Sequence, residues 1–231
     1  MTEIVRGKVK TVYETDSPTK VLIKYHDRVT AGNGEKEFSP TNKGEVCCQI
    51  SEILFKELQK NDIRTHYISC PEVDTMLCRK VNIWPLEVVV RNYAAGSILK
   101  QTPFEKGKLF ADPIVEFFLK DDSKNDPLLN GPRLYHMNIP YEIFYDKSLK
   151  INTVLQSLFK KIGLDLVDFK LEFGWTTDGR FFLADEISPD SMRLWKQGTQ
   201  ESMDKDLFRN GTGDDLIDAY TKILLDLRGV I

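Results

Sequence analysis

Apolar and charged residues alternate most regularly between Asp168 and Phe173, where Phe169, Leu171 and Phe173 interleave with Asp168, Lys170 and Glu172. A period of two predicts a strand that buries one face and presents charge on the other. Thr177-Asp178-Gly179-Arg180 supplies turn chemistry, and Phe181-Phe182-Leu183 begins a second apolar run, so a hairpin centred near Asp178-Gly179 is expected. An antiparallel hairpin there sets Glu172 and Asp185 nearly opposite each other. Like charges so placed destabilise a bare sheet. A hard cation such as Mg²⁺ reverses the sign, because one or two carboxylates hold it while phosphate oxygens supply other ligands. The ordinary alternative is a solvated acidic face.

Elsewhere the period changes. Val46, Ile50, Ile53, Leu54 and Leu58 recur at helical spacing, which predicts a packing helix over 43–61. Ile151, Val154, Leu155, Leu158, Phe159 and Ile162 predict another over 150–163, with Gly163 as its stop, and Leu216 to Leu227 a third. Strands are expected at 4–14 with a break at Gly7, and at 21–25, 62–70, 75–80, 86–92 and 113–120. Val88 to Val90 predict burial on both faces. The stretch 128–147 reads poorly, because Gly131-Pro132 and Ile139-Pro140 break any long helix. Asp190 and Arg193 share one surface if their segment turns helically.

Composition narrows the function classes. The chain has 231 residues, 41% hydrophobic and 29% charged, enough for one large domain or two joined lobes. A net charge of −3 and a pI near 5.7 argue against nucleic acid or an anionic membrane as main partner. Cys47, Cys48, Cys70 and Cys78 form no Cys-x-x-Cys pair and read as buried or free thiols, and His26, His66 and His136 lack partners at metal-ligand spacing. An N-terminus without an apolar leader and the lack of an 18-residue apolar run predict a cytoplasmic protein.

Three further stretches carry candidate chemistry. Lys8 and Lys10 fall on one face beside Gly7, an arrangement that suits polyphosphate or, more plainly, a lysine-protected edge strand. Arg91 precedes Ala94-Ala95-Gly96-Ser97, where a guanidinium fork, small residues and a hydroxyl suit a phosphate or carboxylate. Lys120 ends an apolar strand before the acidic loop 121–127, and is placed for phosphate, with Asp126 for a cation or substrate.

Taken together, Gly7-Lys-Val-Lys10, Glu87-Val-Val-Val-Arg-Asn-Tyr-Ala-Ala-Gly-Ser97, Glu116-Phe-Phe-Leu-Lys120, Asp126-Pro127, Asp168-Phe-Lys-Leu-Glu-Phe-Gly174, Leu183-Ala-Asp-Glu-Ile-Ser-Pro-Asp-Ser-Met-Arg-Leu-Trp195 and Asp204-Lys-Asp206 closely resemble the SAICAR synthetase family of purine biosynthesis. The resemblance implies an α+β, two-lobed fold. An antiparallel ATP-covering lobe at 1–82 faces a larger α/β lobe at 83–231, with ATP in the cleft. It implies ATP-dependent ligation of L-aspartate to the carboxylate of CAIR, with Mg²⁺, in a homo-oligomer. Carried over by position, Lys8, Lys10, Glu87 and Lys120 attend ATP, and Glu172 and Asp185 hold the metal. Arg91, Ser97, Asp190 and Arg193 bind the ribonucleotide. Lys10, Lys120, Lys170, Lys205 and Asp206 are the catalytic set. Gly32 departs from the aromatic residue many relatives carry, and 130–147 lacks the family pattern. A small-molecule kinase and a non-catalytic nucleotide-binding module remain the competing readings.

Overall fold

A computed structural model describes residues 2–31, 36–211 and 213–231, with the side chain of Asp122 left aside. The reading of Gly32 falls outside these residues. Strands β1 (Glu3–Arg6), β2 (Lys10–Glu14), β3 (Lys20–Tyr25), β6 (Tyr67–Glu72) and β7 (Thr75–Arg79) form one sheet in the order β1-β2-β3-β7-β6, antiparallel throughout. A small ribbon, β4 (Val29–Ala31) and β5 (Lys36–Phe38), leads to helix α1 (Lys43–Lys60).

The second sheet is built around β12 (Leu164–Trp175). On one side β12 pairs with β9 (Leu86–Tyr93) and β8 (Asn82–Ile83), and on the other with β14 (Met192–Lys196) and β13 (Phe181–Ala184). Beyond β9 lie β10 (Leu109–Leu119) and β11 (Leu128–Leu129). The named strands of this sheet all pair antiparallel, with one isolated parallel bridge from Thr65 to Leu183, so this half is α+β rather than built from parallel βαβ units.

Phe169, Leu171 and Phe173 are buried as the alternation predicts, each contributing about 1.5–3 kcal/mol by removal from water. The charged face is not solvated, however. Asp168 and Glu172 are 4% exposed, because residues distant in sequence cover and pair with them. Val89, expected in a fully buried run, is only half-buried and lines the pocket described below.

Two helices, α3 (Gly131–His136) and α4 (Tyr141–Lys161), occupy the stretch that reads poorly. The prolines start them rather than break them. Asn130 caps α3 by accepting the Arg133 N–H at 3.1 Å, Pro132 sits in its first turn, and Pro140 immediately precedes α4. Helix α4 therefore begins nine residues before the expected Lys150 and ends before Gly163, whose φ is 71°. The helical turn proposed for 190–193 is absent: Asp190 lies in a turn and Arg193 on β14. Short α2 (Ile98–Gln101) and α5 (Asp206–Asn210) and the closing α6 (Leu216–Val230) complete the chain. Helix α1 packs on β3, β6 and β7 and also on α4 and α6, so one apolar cluster runs through both sheets.

Candidate active site

The hairpin holds Glu172 opposite Ala184, one residue short of Asp185, close to the expected register. Asp185 follows β13 with φ of 61°, a left-handed backbone that Asp tolerates better than most L-residues. Lysines face both carboxylates. Lys10 Nζ lies 2.5 Å from Asp185 Oδ1 and 3.5 Å from Glu186 Oε1. Glu172 is shared, with Oε2 2.6 Å from Lys120 Nζ and Oε1 2.8 Å from Lys170 Nζ, and Lys170 reaches Glu87 Oε1 at 2.9 Å. Strands β2, β9 and β12 thus deliver one lattice of alternating charge, together with Lys120 from just beyond β10 and Asp185 and Glu186 from just beyond β13.

Burial alone would push the Asp185 carboxyl up and the Lys10 and Lys170 ammonium groups down. The opposite charges outweigh it. Lys10 and Lys170 hold Asp185 well below the usual carboxylate range, while Asp185 raises Lys10, and Glu172, Asp185 and Glu87 raise Lys170. Lys8 is exposed in the bend between β1 and β2, and no ion pair among the described residues joins it to this lattice.

Beside the lattice lies a pocket of about 250 Å³, lined by Val89, Arg91, Ser97, Asp168, Lys170, Asp190 and Arg193 among others. Arg91 is 2% exposed and its fork is fully engaged: Nε donates to Glu116 at 2.5 Å, Nη1 to Asp168 at 3.0 Å and Nη2 to Ser97 Oγ at 2.9 Å. The Ser97 hydroxyl accepts from Arg91 and keeps its own proton to donate. Arg193 also binds Asp168, at 2.9 Å, and donates through Nε to Asp206 at 2.9 Å. Burial pushes the Asp168 carboxyl up, and the two guanidinium groups only partly offset it.

Gly96 has φ of 66°, and a Cβ there would meet the Arg193 guanidinium at 2.6 Å. The small-residue turn after Arg91 therefore makes room for a second arginine. Asp190 is gripped from behind, by Lys43 through one oxygen and by the Tyr220 hydroxyl at 2.9 Å through the other. Lys205, beside this group, is pushed below its ordinary range by burial, which nearby Asp190 only partly opposes.

The sequence reading missed Lys43, Glu186, Asp168 and Arg209 as parts of the site. Lys43 was detectable in principle, since it falls on the same stripe of α1 as Val46, Cys47 and Ile50. A charge on an apolar face calls for a buried partner. Asp126, considered for a cation, instead accepts the Asp121 N–H at 2.8 Å within its own loop.

The chain is similar to known proteins along nearly its whole length. The family model described as SAICAR synthetase matches residues 3–226. A phosphoribosylaminoimidazole-succinocarboxamide synthase from Staphylococcus aureus is 46% identical over 224 residues, 95% of each chain. A solved SAICAR synthetase in complex with ADP is 38% identical with a TM-score of 0.92, covering 97% of both chains. The Ehrlichia chaffeensis phosphoribosylaminoimidazole-succinocarboxamide synthase structure is 36% identical with a TM-score of 0.94 over 99% of both. The chain belongs to the SAICAR synthetase family, the ATP-dependent ligases of de novo purine biosynthesis.

Proposed function

We propose that the ligase reaction takes place in one cleft between the lobes 1–82 and 83–231. ATP presents its phosphates to Lys8, Lys10 and Lys120 with Glu87 beside the nucleotide. Arg91, Ser97, Asp190 and Arg193 hold CAIR. The observation that carries this reading is the lattice joining Lys10, Lys120 and Lys170 to Glu87, Glu172 and Asp185. Such a lattice accepts a polyanion and its counter-cation together, because each can exchange partners without leaving a charge alone.

The donor set fits Mg²⁺. Glu172 and Asp185 come from the two arms of one hairpin and each faces a lysine of the lattice, so a cation could replace those ammonium groups. Mg²⁺ favours open sites, where phosphate and water complete the shell. When bound by Glu172 and Asp185 it would neutralise charge on the phosphate oxygens.

A carboxylate is a poor electrophile, so an oxygen of the CAIR carboxylate first takes the γ-phosphoryl group and ADP leaves. The aspartate amine then attacks the acyl carbon, phosphate departs, and the nitrogen gives up a proton. Lys10, Lys120 and Lys170 hold the phosphoryl oxygens in line, the main requirement of phosphoryl transfer. Lys205 lies beside Asp190 on the substrate side, its pKa lowered by burial. Asp206 acts through Arg193, which it orients at 2.9 Å.

No described helix is long and apolar enough to cross a membrane. A cytoplasmic homo-oligomer is proposed on family likeness, and sedimentation reads the oligomeric state. The reaction itself is checked by ADP release that depends jointly on CAIR, L-aspartate and Mg²⁺ and is matched by amide formation. ADP release with a stable phosphorylated product and no amide would overturn the scheme.

A further inference from the structure

A second cavity, of about 540 Å³, lies where the start of β3, the end of β7 and the tip of the β12–β13 hairpin meet. It is roughly twice the volume of the pocket beside the lattice and falls within the ~300–1,000 Å³ of small-molecule sites. Lys20, Arg79 and Lys80 come from the first sheet, and Arg180 and the half-buried Trp175 from the second. Four cations therefore line the groove against a single carboxylate, Asp178, which is already paired with Arg180 at 2.8 Å.

Lys20 and Arg79 are direct cross-strand partners. Like charges so opposed destabilise a sheet, and Lys80 extends the row. Among the described residues no ion pair engages any of the three; Arg79 rests only on the Phe182 ring, 5.6 Å from its centroid. The far end of β3 is different, for Lys24 is met by Asp74 at 3.2 Å. In a chain of net charge −3, three cations without a carboxylate partner side by side along one groove concentrate positive potential there, which favours an anion.

We propose that this groove is a binding site for a phosphorylated small molecule, separate from the ATP cleft. The Lys20 and Lys80 ammonium groups and the Arg79 guanidinium supply charged donors for a phosphate, and Asn82 adds a neutral hydrogen-bonding group. Because both sheets contribute walls, an occupant bridges them at the tip of the hairpin that carries Glu172 and ends at Asp185.

Calorimetric titration of the full chain with inorganic tripolyphosphate, without Mg²⁺, tests the assignment. Binding is expected to persist in Lys10→Gln, which weakens the ATP cleft. In Lys20→Gln/Lys80→Gln it should weaken about tenfold or more, the scale of losing charge-assisted hydrogen bonds. Both replaced lysines are exposed, so folding and basal ligase turnover should be unchanged. Parallel titrations with pyrophosphate and ribose 5-phosphate identify the source of the phosphate: tighter binding of the first points to an inorganic polyphosphate, of the second to a sugar phosphate. Loss of all binding in Lys10→Gln, equal affinity in the wild type and the groove variant, or no binding at all would overturn the proposal.

Discussion

Lys10 Nζ lies 2.5 Å from Asp185 Oδ1, tying the second strand of the first sheet to the end of β13. The repulsion expected from two opposed carboxylates is therefore absent, because each acid faces an ammonium group. Replacing Asp185 by Asn keeps a residue that tolerates the left-handed backbone but leaves the mostly buried Lys10 with only the longer contact to Glu186, at 3.5 Å. Without Mg²⁺, Asp185→Asn should destabilise by about 1–3 kcal/mol, less than a fully buried pair because the aspartate is partly open to solvent. Turnover should fall about a hundredfold or more. Thermal unfolding and steady-state ADP release measure the two effects; a variant more stable than the wild type would contradict the pairing.

His66 should give the unfolding free energy a distinct pH dependence. The ring is buried, with Cys78 Sγ 3.6 Å from Nε2, Phe55 edge-on and Asp185 and Lys10 nearby. Burial lowers its pKa from 6.5 to about 4. The unfolded state takes up a proton below 6.5 that the folded state refuses until about 4, so stability falls as pH drops through that window. The loss is about 2 kcal/mol between about pH 7 and pH 5. In His66→Gln that part of the slope should vanish, and an unchanged difference in denaturant midpoints between the two pH values would count against it.

The strands and helices were legible where neighbours along the chain determine the pattern. Phe169, Leu171 and Phe173 announced β12, and Gly163 announced the end of α4. Local pattern failed where the deciding partner is far away. Asp168 is buried because Arg91, 77 residues earlier, and Arg193, 25 residues later, meet it. The start of α4 was hidden because proline forbids a helix interior but suits its first turn, and spacing does not separate the two cases. The segment Asp190–Arg193 was read at helical spacing although its backbone runs from a turn into β14. For the site, residue types suggested phosphate and metal chemistry, whereas the support behind them, above all Lys43 beneath Asp190, depends on packing between α1 and the substrate loop.

The Lys43–Asp190 pair is the most buried ion pair described, with side chains 1% and 3% exposed. Burial disfavours the charged lysine, but Asp190 outweighs it and raises the Lys43 pKa. Lys43→Met leaves Asp190 with only the Tyr220 hydroxyl and should destabilise by about 3–5 kcal/mol. Asp190→Asn should cost a similar amount by stranding the lysine. In the double variant neither charge is left alone, so its loss should be well short of the sum. Additive losses in urea unfolding would show that the two side chains do not share one interaction.

Gly96→Ala separates binding of the ribonucleotide from the phosphoryl chemistry. The left-handed backbone at Gly96 disfavours any Cβ, by about 1 kcal/mol, and here the added methyl also meets the Arg193 guanidinium at 2.6 Å. The guanidinium must shift, and its bonds to Asp168 and Asp206 shift with it. The lysine lattice around Glu172 shares no contact with Gly96 and should be undisturbed. The expected outcome is a KM for CAIR raised about tenfold or more, from one displaced charge-assisted contact, with the KM for ATP nearly unchanged. Arg193→Lys should reproduce this split, because lysine lacks the planar fork that reaches Asp206 through Nε and Asp168 through Nη1. If Gly96→Ala raised the two KM values equally, the turn would be acting on the whole cleft rather than on the arginine it makes room for.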